Sequence, residues 1–428
     1  MTRKYFLLFA FLVTFISLHA QKAYKIINEK SVSQIEKTLS ADDMQGRKIF
    51  TPGIEKAADF IASQFKETGL QYWDGLNSYR QEFSMLRPKS VDISGEINGE
   101  PIPSQNIISI GTETSLTINE KSGYEQVSLD STGNLFRTLS GLIKSEKPTI
   151  VWIPADMENS FKRLGFLANR PLMEGTVPVF IVLHEKPEHF SFTVKRELEK
   201  QSLTNIIGMI PGKTKKNEYV VFSAHYDHLG IGKPDATGDS IYNGANDDAS
   251  GTTAVIMLAK YFKALNNNDR TLIFVTFTGE ESGGYGSRYF SMHIPPKDVV
   301  AMFNIEMIGT ASKWGENSAY ITGYEKSDFG KILQNNLKGS KFHFEPDPYP
   351  QQQLFYRSDN ATLAALGVPA HTISTSKMDN ELNYHKQSDN FETLDMKNMT
   401  EIIKSIALSS RSIIDGRDTP TRIEPRDL

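Results

Sequence analysis

Imidazoles and carboxylates follow short apolar runs between Tyr219 and Glu281, and this stretch is the part of the chain best equipped for chemistry. YVVFSA is followed by His225 and Asp227, and TLIFVTF is followed by Glu280 and Glu281. Apolar runs of this length, rich in β-branched and aromatic residues and bounded by polar turns, are typical of buried strands in an α/β sheet. Because open α/β sheets place their sites at the carboxyl ends of strands, the sequence predicts a site here.

The same side-chain types recur further along the chain, and together they suit a metal site. Asp247 lies in NGANDDASG, Glu306 in NIEMIG and His385 in NYHKQSDN. Zinc takes imidazole nitrogen and carboxylate oxygen, and a catalytic zinc keeps one position open for water. Two zincs about 3.5 to 4 Å apart need a carboxylate that bridges them and terminal ligands on each. Two histidines and three carboxylates fill that requirement and leave a further carboxylate to act as general base.

Each of these residues also has an ordinary structural interpretation. A histidine and an aspartate two apart usually form a satisfied polar turn, adjacent glutamates usually face solvent, and an aspartate pair such as Asp247 and Asp248 usually caps a helix. Asp389 could support His385, but we interpret it as an exposed turn residue. The metal hypothesis depends on five motifs that follow one another in chain order, most of them directly after a predicted strand. Four other histidines are interpreted as structural residues: His228, His293, His343 and His371.

The surrounding pattern predicts an α/β fold that positions these residues. Apolar spacing in VSQIEKTLSADDM and in GIEKAADFIASQFKETGL predicts two amphipathic helices before the site, and GTTAVIMLAKYFKAL predicts a buried helix after Asp247. Strands and helices then alternate as far as the closing helix MKNMTEIIKSIALSSRSII. This alternation predicts a mixed, mostly parallel central sheet that is covered by helices on both faces.

The texture of the chain changes between residues 87 and 203, where short alternating runs are separated by Gly, Pro and Ser. We interpret 87–203 as a smaller β-rich domain that is inserted into the main one. Residues 21–86 and 204–428 then form the main domain. The chain is expected to re-enter this domain through a turn-prone, basic loop before Tyr219.

Residues 1–20 carry Arg3 and Lys4, a central apolar run and the small residue Ala20, which is typical of a secretory signal peptide. This run is too short for a membrane span and no second one follows, so we expect an exported protein, periplasmic or extracellular, without a membrane span in the mature chain. Cysteine is absent, which excludes disulfides and thiolate metal ligands. A formal net charge of -4 argues against a nucleic-acid partner.

Several segments together resemble one known family, the co-catalytic zinc metallopeptidases that include secreted leucyl aminopeptidases, glutamate carboxypeptidase II, the transferrin receptor ectodomain and the glutaminyl cyclases. The segments are AHYDHLG, GANDDASG, TGEESGGYGS, NIEMIG, SDNATLAALGVPA and YHKQSDN, and DDMQGR matches more loosely. They span most of the chain outside 87–203. The position and texture of 87–203 are similar to those of the protease-associated domain that several members of the family carry.

The resemblance implies two zinc ions per chain, with Asp247 as the ligand that bridges them. His225 and Glu306 would complete the ligands of one ion. Glu281 and His385 would complete those of the other ion. The family usually has aspartate where this chain has Glu306, so the longer side chain is expected to alter the geometry around the first ion.

The resemblance also implies roles for residues that are not ligands. Glu280 would be the general base, and Asp227 would hold the ring of His225 and fix its tautomer. Tyr384 would lie near the substrate carbonyl, where it could stabilise an oxyanion. The Asp247–Asp248 peptide bond is expected to be cis, as it is in the family.

We therefore predict a secreted zinc-dependent exopeptidase that acts as an aminopeptidase on peptide substrates. A metal-bridging hydroxide would attack the scissile carbonyl, and Glu280 would take its proton and pass it to the leaving amine. Cleavage from the carboxyl terminus stays open as an alternative. A glutaminyl cyclase would use a single zinc on the equivalents of Asp247, Glu281 and His385. A non-catalytic binding protein on the same fold would hold no zinc.

Overall fold

The structure is a computed structural model that describes residues 25–129, 135–144 and 147–424. The chain divides into two compact units: unit one runs up to Glu82 and resumes at Leu203, and unit two is Phe83–Ser202. The interval predicted as an insertion, 87–203, nearly coincides with unit two, and its likeness to a protease-associated domain stays a prediction. The expected signal peptide lies outside the described residues. Within the described ranges, no helix combines the length and the apolar character that crossing a membrane needs.

Unit one consists of a central sheet with flanking helices and one small hairpin. The hairpin pairs Gly230–Ile231 with Ile241–Tyr242. The remaining strands are Gln71–Tyr72, the last part of Phe190–Ile210, Lys215–His225, Arg270–Phe277, Val299–Ile305, Ser318–Ile321, His343–Pro346 and Ala370–Ser374. The α-helices are Glu29–Leu39, Pro52–Thr68, Ser250–Leu265, Tyr285–His293, Phe329–Leu337, Asn360–Ala364, Met396–Ser409 and Arg411–Ile414.

The central sheet is mixed and has a parallel centre, as the sequence predicts. Strand Lys215–His225 lies in the middle and is parallel to both of its neighbours, Arg270–Phe277 and Val299–Ile305. Antiparallel pairs occur towards both sides of the sheet. The order across the sheet is His343–Pro346, Ser318–Ile321, Ala370–Ser374, Val299–Ile305, Lys215–His225, Arg270–Phe277 and residues 206–210.

Alternate residues of the central strand pack on opposite faces of the sheet. Val220 and Phe222 belong to one apolar cluster, which also contains Met257 from a covering helix. Val221 belongs to a second cluster, which contains Phe290 from a helix on the other face. A strand that is buried on both faces needs an unbroken apolar run, and YVVFSA supplies it. The predicted covering of the sheet by helices on both faces is therefore confirmed.

The return of the chain from unit two differs from the predicted loop. Residues up to Ile210 lie in strand Phe190–Ile210 and pair antiparallel with Arg270–Phe277. Gly208 in this strand permits close packing, because a Cβ there would lie 2.6 Å from a methyl carbon of Leu70. Glycine is unfavourable in strands, so the run NIIGMIPG does not show a strand pattern in the sequence.

Unit two contains a second sheet with apolar residues on both faces. Val151 and Ile181 belong to one apolar cluster, and Trp152 and Phe180 belong to another. The order across this sheet is Ile107–Ile110, Val179–Leu183, Thr149–Ile153 and Glu125–Ser128. Its other elements are helices Leu135–Lys144 and Glu158–Lys162 and strands Glu100–Pro101, Ser115–Asn119 and Leu172–Met173. The chain enters unit two within strand Arg80–Ile97 and leaves it within Phe190–Ile210.

Candidate metal centre

The five predicted ligands lie together at the carboxyl ends of the central strands of unit one. His225 ends the middle strand, Glu306 directly follows the strand on one side of it, and Glu281 comes from the turn after the strand on the other side. Asp247 lies just before the buried helix, and His385 comes from a turn after the last strand of the sheet. Parallel strands end at the same edge of a sheet, which brings residues distant in sequence to one place.

Asp247 lies between two groups of possible ligand atoms. Its Oδ1 is 3.2 Å from Nε2 of His225, and these two residues form one group with Glu306 in which the ligand atoms lie within 4.8 Å of one another. Its Oδ2 is 3.3 Å from Nε2 of His385, which is also 3.2 Å from Oε2 of Glu281. The two oxygens of one carboxylate thus face two different groups, as a bridging ligand requires.

His228 also lies in this centre, although the sequence analysis interprets it as structural. Its ring is buried, and Nδ1 is 2.9 Å from Oε1 of Glu281. His228, Asp247 and Glu281 form a second group of possible ligand atoms within 4.8 Å of one another. Gly244 permits this position, because a Cβ there would lie 2.5 Å from the His228 ring. The signal in the sequence is a second imidazole three residues after His225 in AHYDHLG.

Buried polar atoms without a hydrogen-bond partner are concentrated at this centre. Such atoms cost about 1 to 3 kcal/mol each, so they are rare unless another ligand satisfies them. Their types here, imidazole nitrogen and carboxylate oxygen, are those that zinc takes, so the residues fit a metal centre. In the described part of the chain they include Nε2 of His225, both ring nitrogens of His228, Oδ1 of Asp247, Oε1 of Glu281 and Oε2 of Glu306.

The charge balance of the centre also fits bound cations. Burial raises the pKa of Glu306 to about 7 and raises the pKa of Glu280 well above its usual range. Burial acts on Asp247 in the same direction, but its contacts with His225 and His385 outweigh this effect and lower the pKa of Asp247. The positively charged side chains of the protein therefore stabilise the ionised form of only some of these carboxylates. Divalent cations at the two groups would keep all of them ionised.

Asp227 supports the centre differently from the predicted hold on the histidine ring. Its carboxylate lies 3.8 Å from Nδ1 of His225, whereas its backbone carbonyl lies 3.1 Å from that nitrogen. The carboxylate instead accepts a hydrogen bond of 3.1 Å from the backbone N–H of Glu280. Burial raises the pKa of Asp227 to about 7. The main chain of Asp227 thus orients the imidazole, and its side chain fixes the backbone of Glu280.

Asp248 fixes the backbone around the ligands. The Asp247–Asp248 peptide bond is cis, as the resemblance predicts. Oδ2 of Asp248 accepts a hydrogen bond of 3.2 Å from the N–H of His225. Oδ1 accepts hydrogen bonds from the N–H groups of Gly251, at 3.0 Å, and Met307, at 3.1 Å. One buried carboxylate therefore joins the end of the middle strand, the start of the buried helix and the loop after a neighbouring strand.

Asp389 is buried, so its interpretation as an exposed turn residue is wrong. Its carboxylate accepts hydrogen bonds from the N–H groups of Asn246, at 2.8 Å, and Asp247, at 3.0 Å. Burial raises the pKa of Asp389 to about 6. Because Asp389 follows His385 closely in the chain, it connects two of the ligand-bearing segments. A single aspartate among polar residues carries no sign of burial in the sequence.

Arg47 connects the N-terminal part of unit one to the same loops. Its guanidinium is fully buried and donates hydrogen bonds to the carbonyl oxygens of Tyr226, at 2.8 Å, and Gly244, at 2.9 Å. It also donates to the carbonyl oxygens of Leu39 and Asn243. Tyr226 directly follows the middle strand, and Gly244 begins the segment that carries the aspartate pair. The segment DDMQGR, which ends in this arginine, therefore holds the loops that contain Tyr226 and Gly244 through hydrogen bonds to their backbone.

Glu280 and Tyr384 line one cavity together with four of the predicted ligands. The ring of Tyr384 stacks on His385 with centroids 3.9 Å apart, and its hydroxyl accepts a hydrogen bond of 3.4 Å from Arg357. Burial raises the pKa of Tyr384, so the hydroxyl stays protonated and able to donate a hydrogen bond. The cavity wall also includes Tyr320, Thr322, Leu354, Thr372, Ser374 and Met378.

Comparison with known proteins gives a family match for much of unit one. Residues 205–409 match the sequence profile of peptidase family M28. The match covers every predicted ligand and both Glu280 and Tyr384, and it confirms the resemblance that the motifs indicate.

Relatives of the M28 region include proteins named as aminopeptidases. A probable leucine aminopeptidase from Trichophyton verrucosum (strain HKI 0517) is 30% identical over 210 residues, which are 47% of this chain and 54% of that protein. Aminopeptidase YwaD from Bacillus subtilis (strain 168) is 31% identical over 115 residues, 26% of this chain and 23% of that protein. The matches thus span about half of the first relative and about a quarter of the second.

Solved structures with a similar fold cover nearly the whole chain. A zinc aminopeptidase from Bacillus subtilis superimposes with a TM-score of 0.55 and 18% identity over 92% of this chain and 97% of that chain. An aminopeptidase from Aneurinibacillus sp. strain AM-1 gives a TM-score of 0.53 and 18% identity over 92% and 96% of the two chains. At this identity the likeness shows the fold, and it confirms the predicted fold class.

Proposed function

We propose that this chain is an exported zinc-dependent exopeptidase, an aminopeptidase that hydrolyses N-terminal residues from peptides and holds two zinc ions. The observation that carries the proposal is the carboxylate of Asp247 between two groups of ligand atoms, with Glu280 in the same cavity. The M28 match and the relatives named as aminopeptidases support it. The apolar run in residues 1–20 supports export to the periplasm or beyond.

The chain supplies the ligands for both ions. Asp247 would be shared, His225 and Glu306 would hold one ion, and Glu281 and His385 would hold the other. Zinc there would supply a Lewis acid for the scissile carbonyl and would lower the pKa of the attacking water. Because His225 and Glu306 lie at the ends of central strands, the positions of these two ligands are fixed by the sheet.

The proton transfers are carried by Glu280. Its carboxylate takes a proton from the attacking water and delivers it to the leaving amine, which then departs as a neutral group. The hydrogen bond between its N–H and Asp227 holds the backbone of Glu280 at the edge of the cavity. The hydroxyl of Tyr384, which is protonated, donates a hydrogen bond to the oxyanion that develops on the carbonyl.

The test is incubation of the purified, zinc-loaded chain with a dipeptide library, an N-acetylated tripeptide and a peptide that begins with glutamine, with the products identified by mass. Release of amino acids from free N-termini, with the acetylated tripeptide intact, supports the aminopeptidase. Release from the acetylated tripeptide indicates cleavage at the carboxyl terminus. Loss of ammonia without cleavage indicates a glutaminyl cyclase. No reaction and a zinc content near zero indicate a non-catalytic binding protein.

Glu306→Ala is expected to reduce the zinc content from two ions per chain to one. The remaining ion keeps Asp247, Glu281 and His385, whereas the first ion loses a carboxylate ligand. The zinc content of Glu306→Asp is expected to lie between those of wild type and Glu306→Ala, since the loop is set for the longer side chain. Zinc content after dialysis, measured by atomic absorption, checks both variants. Two zincs at unchanged affinity in Glu306→Ala would exclude Glu306 as a ligand.

His228→Ala is expected to weaken zinc binding by roughly 10- to 100-fold at the Glu281 group while two ions still bind at saturation. Nδ1 of His228 faces Oε1 of Glu281, and His385 faces the other oxygen, so His228 orients this ligand. His228→Asn is expected to recover part of the affinity, because its amide can donate a hydrogen bond to the same carboxylate. Titration of zinc-free protein against a competing chelator measures the effect. Complete loss of one ion in His228→Ala would instead make His228 a ligand.

A further inference from the structure

Arg357 is an unusual member of the cavity that contains Glu280. Among the described residues that line this cavity, it is the only lysine or arginine, and it shares the cavity with carboxylates that include Glu281 and Glu306. Its side chain is exposed to solvent. If zinc is bound, it already balances the negative charge of the ligand carboxylates, so a further cation is not needed for that purpose.

The guanidinium of Arg357 has weak protein partners. Its two hydrogen bonds, to the hydroxyl of Tyr384 at 3.4 Å and to the side-chain carbonyl of Gln352 at 3.5 Å, are both long. No carboxylate of the described residues lies within ion-pair distance of it. Most of the donor capacity of this cavity-lining guanidinium is therefore not taken up by a strong acceptor among the described residues.

The backbone of Arg357 is held more firmly than its side chain. Its N–H donates to the carbonyl of Leu354 at 3.1 Å. The next residue, Ser358, accepts a hydrogen bond of 2.7 Å from Asn304, and Asp359 after it is buried. Asn304 lies on the strand that ends just before Glu306. The arginine thus extends from a wall that is anchored close to one group of ligands.

A planar guanidinium with free donors is suited to bind a carboxylate, because two parallel N–H groups match its two oxygens. We propose that Arg357 binds a carboxylate of the substrate, so that the site prefers short peptides with a free carboxyl group near the scissile bond. The preference rests on the proposed peptidase function of the same cavity. The carboxylate comes either from the terminus of a dipeptide or from an acidic side chain next to the bond.

Hydrolysis of matched peptides tests this substrate preference. Wild type is expected to cleave leucyl-glycine with a kcat/KM roughly 10- to 100-fold above that for leucyl-glycine amide, since hydrogen bonds to charged groups have effects of this size. In Arg357→Gln this ratio of kcat/KM values is expected to fall close to one. In Arg357→Lys it is expected to lie between that value and the wild-type value. Leucyl-glutamate amide against leucyl-glutamine amide tests the acidic side chain as the source. Raising the ionic strength is expected to reduce the ratio in wild type, because the arginine is exposed.

The matched control is Arg417→Gln, which removes an exposed arginine that pairs with Asp415 and does not line the cavity. It is expected to keep the wild-type ratio. Equal cleavage of acid and amide by wild type, or an unchanged ratio in Arg357→Gln, overturns the proposal.

A binding measurement separates this proposal from the peptidase function. Calorimetric titration of Glu280→Gln with the same peptides gives the ratio of Kd values without hydrolysis, and the double variant Glu280→Gln with Arg357→Gln is expected to lose that ratio. If wild type cleaves no peptide but the ratio of Kd values depends on Arg357, the peptidase proposal fails and the carboxylate site stands. If the ratio of Kd values is the same in Glu280→Gln and in the double variant, the proposed carboxylate site is wrong.

Discussion

Glu280→Gln is expected to lower kcat by roughly 100- to 10,000-fold, the range that general bases contribute, while both zinc ions remain bound. The amide has the shape of the carboxylate but cannot accept a proton from water. Its backbone N–H keeps the hydrogen bond to Asp227.

Steady-state rates on a dipeptide and zinc content per chain, measured on the same preparation, check this expectation. The matched control is Glu325→Gln, which changes an exposed glutamate of unit one in the same way. A variant with near-normal kcat and full zinc would move the base to another residue. A variant with low kcat and less zinc would show that Glu280 supports metal binding instead.

Asp247→Ala is expected to abolish binding of both zinc ions at micromolar free zinc, and activity with them. Its two oxygens face different ligand groups, so one substitution removes a ligand from each. The effect should exceed that of Glu306→Ala, which removes a ligand from one group. Removing this carboxylate also leaves His225 without its nearest negative partner, whereas His385 keeps its contact with Glu281.

Zinc content after dialysis and calorimetric titration with zinc measure the loss, and circular dichroism with a melting curve establishes that the variant is folded. Asp247→Asn is a second variant that keeps the size of the side chain and the hydrogen bond from the backbone to Asp389. A folded Asp247→Ala protein that holds one ion tightly would show that Asp247 belongs to one group only.

The sequence predicts the parts of the centre that follow strands. His225, Glu281 and Glu306 come after apolar runs whose β pattern is local, and parallel strands bring such residues together without further information. The family motifs add Asp247 and His385, which follow no strand directly. The structure brings all five side chains together, four of them around the carboxylate of Asp247.

The residues that the sequence does not reveal are those that act through distant contacts. Asp389 binds backbone N–H groups more than a hundred positions away in the chain, and Arg47 binds carbonyl oxygens at similar distances. His228 is buried beside Glu281, and this contact forms only when the chain folds. Local periodicity reports which face of an element is buried, but it does not report which other segment meets that face.

The hydrogen bonds of Arg47 have a consequence for how the chain folds during synthesis. Arg47 and Gly244 are 197 residues apart, and all of unit two is synthesised between them. At a translation rate of about 5 to 20 residues per second, Arg47 waits roughly 10 to 40 s before its partner leaves the ribosome. During that interval the guanidinium lacks the carbonyl oxygen of Gly244, and a fragment that begins at Leu203 would never receive the guanidinium. The loops that carry His225 and Asp247 are therefore held by a side chain that is synthesised long before them.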